Sequence, residues 1–285
     1  MMSVTNVPQI SVLLPTYRQP ESLMLTLRDL CAQEYPRDSW ELVVIDDGSW
    51  DASGQLVLMT VSQHIPVTVK RLVKGGIYCH ATLLNELLRL AHRASEVYVH
   101  VEDVRLRSNF LLQHAKWHRT DSHFLVTGPM CEGPVETFDP SACARWRLME
   151  MSGTYCDAYR CCFQAVYAKS MSYSRSLLEA FENGDVAGFF DESMTGWGYQ
   201  ETEFAFRAEA SGAICVYDTA CAVYHPAHNA RDELNYRKID RPQKIAEGSS
   251  RNAQYLCRKH GLPELPEWRV GEPLSSPPFF IVDQS

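Results

Sequence analysis

The residues with the plainest chemical potential are carboxylates that follow short apolar runs. Glu102-Asp103 comes after Val97 to Val101, and adjacent carboxylates at a strand terminus can hold a hard divalent cation against a diphosphate. A solvated acidic loop is the plainer alternative. Asp46-Asp47-Gly48-Ser49 offers two carboxylates and a turn glycine that can accept hydrogen bonds from a base N–H or ribose hydroxyls. The same residues also suit a simple Asp-Gly turn that caps a helix beginning near Asp51. Phe190-Asp191-Glu192 precedes Gly196-Trp197-Gly198-Tyr199-Gln200-Glu201-Thr202-Glu203, and an indole between two glycines reads as a ligand wall. Glu201 falls at the start of a helix beside that indole, where apolar contact suits a general base. A helix N-terminal acid favoured by the macrodipole is the alternative. Glu203 is turned by about 200° from Glu201, so the two cannot share a face. His225, with His228 as a less favoured substitute, offers an imidazole for the same metal, or a purely structural histidine.

Other chemistries are excluded by what is missing around these residues. His114 and His118 have zinc-helix spacing, but Ala115 stands where a metalloprotease carries its glutamate, so both are expected on a helix surface. No Walker loop, dinucleotide-binding glycine pattern or nucleophile elbow occurs. The net charge of -8 argues against a nucleic-acid backbone as partner. Ten cysteines are scattered without Cys-x-x-Cys spacing, which predicts reduced thiols in a cytoplasmic protein. No basic N-terminal leader is seen, Pro15 interrupts the first apolar run, and no stretch is long enough to span a membrane.

The elements that must position these groups alternate in type. Ile10 to Leu14, Leu42 to Ile45, Pro66 to Leu72 and Val97 to Val101 read as strands. Helices are expected from Pro20 to the Tyr35-Pro36 break and from Ala81 to Ala91. This is the pattern of a parallel sheet flanked by helices, in which ligands collect at the carboxyl ends of the strands, so Thr16, Asp47 and Asp103 are expected in one crevice. Beyond Asp103 the sequence predicts a helix from Asn109 to His118, strands at Phe124 to Thr127 and near Phe163 to Ala168, and a helix ending at Ala210. Short apolar segments follow at Ala213 to Tyr217 and Ala220 to Tyr224. The organisation expected is a catalytic domain over 1–230, with a nucleotide-binding half at 1–103 and an acceptor half at 104–230. A C-terminal helix and a proline-rich extended tail fill 231–285.

Taken together, these segments resemble family 2 glycosyltransferases with the glycosyltransferase A fold, over roughly residues 9 to 230. The opening Ile10-Ser11-Val12-Leu13-Leu14-Pro15-Thr16-Tyr17 with Leu42 to Ser49 looks like the family's nucleotide-binding start. This implies Pro15, Thr16, Tyr17 and Asp47 at the base and ribose. A basic residue often found just before the helix Ala81-Thr82-Leu83-Leu84-Asn85 is here Cys79 or His80. Val101-Glu102-Asp103-Val104 resembles the acidic metal motif with its first acid missing, which implies Asp103 on the metal and Glu102 facing ribose or donor sugar. Asp191 to Arg207 resembles the Gly-Trp-Gly and paired-acid block of galactosyl- and chondroitin-type enzymes. That likeness implies Glu201 as the base, with Gln200 replacing the first acid. Asp191, Trp197, Gly198 and Gln200 then meet donor sugar or acceptor, and His225 matches the late metal-binding histidine.

The resemblance therefore implies a Rossmann-like, mostly parallel α/β sheet and inverting transfer from a nucleotide-diphosphate sugar, a UDP-sugar first, to an acceptor hydroxyl. The sugar is a hexose or N-acetylhexosamine, the acceptor a saccharide, glycolipid or natural product, and the cofactor Mn2+ or Mg2+. A homodimer is left open. The rival is a non-catalytic nucleotide-sugar-binding protein, motivated by Val101, Gln200 and the missing basic residue. A nucleotidyltransferase or metal-dependent hydrolase would have no need of the Gly-Trp-Gly wall.

Overall fold

The computed structural model describes residues 9–49, 57, 59–61, 64–72, 79–119, 123–133, 158–180, 189–226, 241–266 and 270–274. His228 and Asp51 lie outside them, and the helix expected to begin near Asp51 is described only at residues 57 and 59–61, which are helical. The first strands are β-branched runs: β1 (Ile10–Thr16), β2 (Trp40–Asp46), β3 (Val67–Arg71) and β4 (Val97–Val101). β1 pairs in parallel with both β2 and β4, and β2 with β3. Alternation along β1 feeds both faces of the sheet. Ile10, Val12 and Leu14 pack with Leu23, Leu27 and Leu30 of helix α1 (Pro20–Cys31). Leu13 turns to the opposite face, against Leu84, Leu87 and Leu88 of α2 (His80–Leu90).

The chain lays down β1, β2 and β3 outward, then crosses back to place β4 on the other side of β1. That reversal opens a crevice at the carboxyl ends of β1 and β4, the usual ligand position in open α/β sheets. Thr16 and Tyr17 lie at one lip and Glu102-Asp103 at the other.

The second half extends the same sheet. After α3 (Phe110–Ala115) come β5 (Phe124–Thr127), β6 (Met130–Gly133), β7 (Ala158–Cys161) and β8 (Ser170–Ser174). Short α4 (Arg175–Glu179) and longer α5 (Gln200–Ala210) lead to β9 (Ile214–Asp218), β10 (Val223–Pro226), α6 (Arg241–His260) and β11 (Val270–Leu274). The nine-stranded order is β11-β7-β9-β5-β8-β4-β1-β2-β3, with β10 and β6 forming a separate parallel pair. β8 runs antiparallel between β4 and β5, and β11 pairs antiparallel with β7. This α/β architecture is the one the sequence predicts.

Two local expectations are corrected. The strand expected near 163–168 is instead a 3-10 turn at Phe163–Ala165, because the real strands β7 and β8 flank it and bury Phe163 and Ala165 from a loop. His114 is not on a helix surface. It is fully buried, with Nδ1 2.8 Å from the Ser172 hydroxyl, which also lies 2.8 Å from His118 Nε2. Burial pushes both imidazoles down, His118 to about 3, so they are neutral core groups.

A buried ion pair fixes the turn between β9 and β10. Asp218 is fully buried and accepts from Lys116 Nζ and Trp117 Nε1, each at 2.7 Å, while its other oxygen accepts the Ala220 N–H at 2.8 Å. Removing one partner leaves a buried charge uncompensated. Asp218→Ala is therefore expected to lower unfolding free energy by about 3–5 kcal/mol, measured by urea denaturation; a loss under about 1 kcal/mol contradicts this role.

Candidate active site

Backbone pairing brings distant chemistry to the crevice. Arg105 and Tyr224 form an isolated antiparallel bridge, with Arg105 N–H donating to the Tyr224 carbonyl at 2.7 Å and Tyr224 N–H returning to Arg105 at 3.1 Å. Asp29 of α1 holds this segment by accepting from Arg105 Nε at 2.5 Å, Arg105 Nη2 at 2.8 Å and the Leu106 N–H at 2.8 Å. The bridge sets His225 beside Asp103, with Nε2 3.3 Å from Oδ2. In parallel, Val101 of β4 is registered with Ser170 of β8, so Lys169 comes opposite Glu102. Its ammonium lies 3.1 Å from Glu102 Oε2 and 2.5 Å from Asp103 Oδ1.

His80, the first residue of α2, completes the cluster. Its Nε2 stands 3.3 Å from Glu102 Oε1 and 3.0 Å from Glu201 Oε1, the latter on the first turn of α5. Burial opposes a charged imidazole here, but Glu102 and Glu201 outweigh it and push its pKa up to about 10. By contrast His100, one turn of the strand inward and 2.7 Å from the Tyr173 hydroxyl, is driven down to about 3 by burial. Burial also works against the Glu102 carboxylate, yet Lys169 and His80 hold it at about 2. Asp103 is likewise held well below the usual carboxylate range, by Lys169 and His225 against its own burial. The same two carboxylates raise Lys169 above its ordinary value in spite of burial.

The Gly-Trp-Gly loop is shaped by its backbone and by α6. Gly196, Gly198 and Tyr199 have φ of 79°, 90° and 71°, left-handed conformations that favour glycine at the first two. Trp197 is left 43% exposed in this loop. Asn252 of α6 donates its amide to the carbonyls of Thr195 (3.2 Å), Trp197 (3.3 Å) and Gly198 (2.9 Å). Gly248 allows the helix this near, since a Cβ there would come 2.9 Å from the Trp197 nitrogen.

The structure thus gathers His80, Glu102, Asp103, Glu201 and His225. Gln200 and Asp191 face other partners. The buried Gln200 amide donates to the Met194 (2.9 Å) and Gly196 (3.0 Å) carbonyls, closing the turn ahead of α5. Asp191 accepts from Tyr255 and Lys259 of α6 at 2.9 and 2.7 Å, and Lys259 also reaches Glu203, which is fully buried. Glu201 and Glu203 therefore point to different sides, as their spacing requires. At the far lip, Asp47 N–H donates to the Thr16 carbonyl at 2.9 Å, Ser49 Oγ accepts the Arg18 N–H at 2.9 Å, and the Arg18 guanidinium stacks over the Tyr17 ring. Asp46, the other acid of that loop, is buried and caps the Ser49 N–H at 2.8 Å.

Lys169 carries no signal in the sequence reading, and Glu192 enters it only as part of Phe190-Asp191-Glu192, with no role of its own. Lys169 lies in no motif and reaches the acids only through the β4–β8 register. Glu192 accepts from Thr82 at 3.0 Å and Asn85 at 2.8 Å, and Asn85 also exchanges two hydrogen bonds of 2.9 Å with the Phe190 backbone, so the Phe190-Asp191-Glu192 turn is clipped to α2.

Two donor sets suit a divalent cation. Asp103 and His225 combine a hard oxygen with an imidazole nitrogen, and the Lys169 ammonium already demonstrates that positive charge is stabilised between Glu102 and Asp103. Among the described residues, His80, Glu102 and Glu201 also bring one ligand atom each within 4.8 Å of one another. His80 ligates only after losing its proton. Because its folded pKa is raised, His80 adds stability in full below about pH 6.5, the ordinary imidazole value, and that contribution fades as pH rises through about 10. With chelator present, the melting-temperature gap between wild type and His80→Gln is expected to be wide at pH 6 and to narrow steadily toward pH 10; a gap that widens with pH contradicts the pairing.

Residues 11–90 match the family described as Glycosyl transferase family 2. A validoxylamine A glucosyltransferase of Streptomyces hygroscopicus subsp. jinggangensis (strain 5008) is 26% identical over 288 residues, covering 92% of this chain and 64% of the relative. The chain therefore spans just under two thirds of that relative's length. Among solved structures, the mannosyltransferase PcManGT from Pyrobaculum calidifontis, in complex with GDP-Man and Mn2+, aligns with a TM-score of 0.58 at 19% identity, covering 91% of this chain and 73% of that one. S. aureus TarS 1–349 in complex with UDP-GlcNAc aligns with a TM-score of 0.61 at 15% identity, covering 91% and 68%. The chain has the α/β fold of these proteins, and its residues 11–90 match the family 2 glycosyl transferase model.

Proposed function

We propose that the protein is an inverting glycosyltransferase that moves a hexosyl or N-acetylhexosaminyl group from a nucleotide-diphosphate sugar, a UDP-sugar first, to an acceptor hydroxyl. The observation that carries this reading is Glu201 on the first turn of α5, 3.0 Å from His80, which also pairs with Glu102 at the end of β4. A base is thereby joined to an acidic and cationic cluster at the carboxyl ends of strands, where open α/β sheets bind nucleotides. The glucosyltransferase relative and the nucleotide-sugar complexes of the two structural neighbours favour sugar transfer over nucleotidyl transfer or hydrolysis.

In this reading Pro15, Thr16, Tyr17 and Asp47 face the base and ribose, and Glu102 faces ribose or donor sugar. Glu201 takes the acceptor proton as the acceptor oxygen attacks the anomeric carbon from the face opposite the leaving diphosphate. His80 orients that carboxylate and, with Lys169, adds positive charge toward the phosphates. Asp103 and His225 would hold a divalent cation, Mn2+ or Mg2+, which would supply charge neutralisation for the departing diphosphate. Trp197, raised on Gly196 and Gly198, offers an apolar face to the acceptor or donor sugar. Asp191 and Gln200 act behind it, keeping the loop in place. A cytoplasmic setting with reduced thiols is part of this reading, and no disulfide joins the described cysteines.

Two substitutions test the roles. Glu201→Gln keeps size and removes basicity, so turnover is expected to fall at least about a hundredfold with donor affinity little changed. Near-normal turnover in that variant, beside a dead Glu203→Gln or Asp191→Asn, moves the base elsewhere. Asp103→Ala is expected to abolish the metal-dependent part of nucleotide binding in calorimetry. Equal wild-type and variant affinity, in both metal and chelator, refutes the assignment.

A further inference from the structure

The ammonium of Lys169 occupies the one place where Glu102 and Asp103 face each other. Its contacts divide the four carboxylate oxygens with the histidines. Lys169 takes Glu102 Oε2 and Asp103 Oδ1, His80 takes Glu102 Oε1, and His225 takes Asp103 Oδ2. Each oxygen therefore already has a cationic or imidazole partner. The lysine's backbone is anchored: the next residue, Ser170, pairs with Val101 across the sheet and donates its hydroxyl to the Cys221 carbonyl at 2.7 Å. Its side chain, 23% exposed, is a flexible four-carbon stem.

We propose that Lys169 is a resident counter-ion that a divalent cation must displace, so that metal binds together with the nucleotide diphosphate and poorly before it. This rests on the reading above that Asp103 and His225 hold the metal. A dication arriving at Asp103 while the ammonium remains meets like charge at contact distance, and the carboxylates cannot serve both fully. A diphosphate resolves the conflict by giving the ammonium a new anionic partner, which frees Asp103 Oδ1. Metal and nucleotide then strengthen each other's binding by the same factor, as linkage requires. Lys169 is thus a donor-binding residue in the loaded state and a block on the metal site in the free one.

The test is Mn2+ binding followed by electron paramagnetic resonance, with Mn2+ alone and with Mn2+ plus UDP or GDP, on wild type, Lys169→Met and Lys169→Gln. The glutamine variant keeps a hydrogen-bond donor to the acids, which guards against loss of folding in the methionine variant, and circular dichroism checks both. Wild type is expected to bind Mn2+ alone weakly and to gain at least about fivefold with nucleotide. In the charge-removed variants Mn2+ alone is expected to bind at least about fivefold tighter than to wild type, with the nucleotide-driven gain reduced. If wild type takes up Mn2+ with nucleotide but the folded variants bind Mn2+ alone no tighter than wild type does, the displacement proposal is overturned while the metal assignment stands. Failure of wild type to take up Mn2+ under either condition overturns both.

Discussion

Glu102 and Asp103 are consecutive, largely buried carboxylates at a strand end, and burial there works against their charge unless positive groups stand beside them. His80 and Lys169 supply that charge and His225 adds an imidazole, from the start of α2, the approach to β8 and the end of β10. No two of these residues are close in sequence. The burial that raises the cost of the charge also strengthens each pairing, so the cluster is stable as a set and poorly tolerant of losing one member. A ligand rich in negative charge, bringing its own counter-ion, can exchange with that set without leaving a bare charge behind. This is the physical basis for reading the crevice as a diphosphate site in a protein whose overall charge is negative.

The scaffold is arranged to hold those cations in place. The parallel strands β1, β2 and β4 supply the crevice, α1 ties down the segment after Asp103 through Asp29, and the Arg105–Tyr224 bridge carries β10 to it. The buried Lys116–Asp218 pair shapes the turn that leads into β10. On the other side, α6 braces the Gly-Trp-Gly loop through Asn252 and binds Asp191 and Glu203 through Lys259. The C-terminal helix is therefore part of the site's support, although it contributes nothing to the crevice lining described here.

The sequence made the parallel half legible because its strands are short β-branched runs ending in polar residues, and β4 and β5 agree residue for residue. The carboxyl-end placement of Thr16, Asp47 and Asp103 followed from that pattern alone. The meeting of His225 with Asp103 was offered by the residue types, against a purely structural histidine, and was favoured by the family likeness; the bridge that creates it spans more than a hundred residues and leaves no periodic trace. Lys169 was invisible because antiparallel register, not a motif, brings it to Glu102. The strand expected near 163–168 failed for a related reason: an apolar run cannot reveal whether it is a strand or a buried connection between two strands. The family likeness implied Gln200 and Asp191 as sugar contacts, with ordering of the loop as the other role for Asp191; their side chains hydrogen-bond within the loop and to α6.

Sugar transfer is the central claim, and donor consumption tests it most directly. The protein, with Mn2+, is incubated with pooled UDP-, GDP- and dTDP-sugars and a mixture of saccharide acceptors, and the products are resolved by mass spectrometry. The account predicts that one donor is consumed, releasing its nucleoside diphosphate in step with a product heavier by one sugar residue, or with free sugar where water replaces the acceptor. Release of nucleoside monophosphate with sugar phosphate, or persistence of every donor with a folded protein and bound Mn2+, contradicts it.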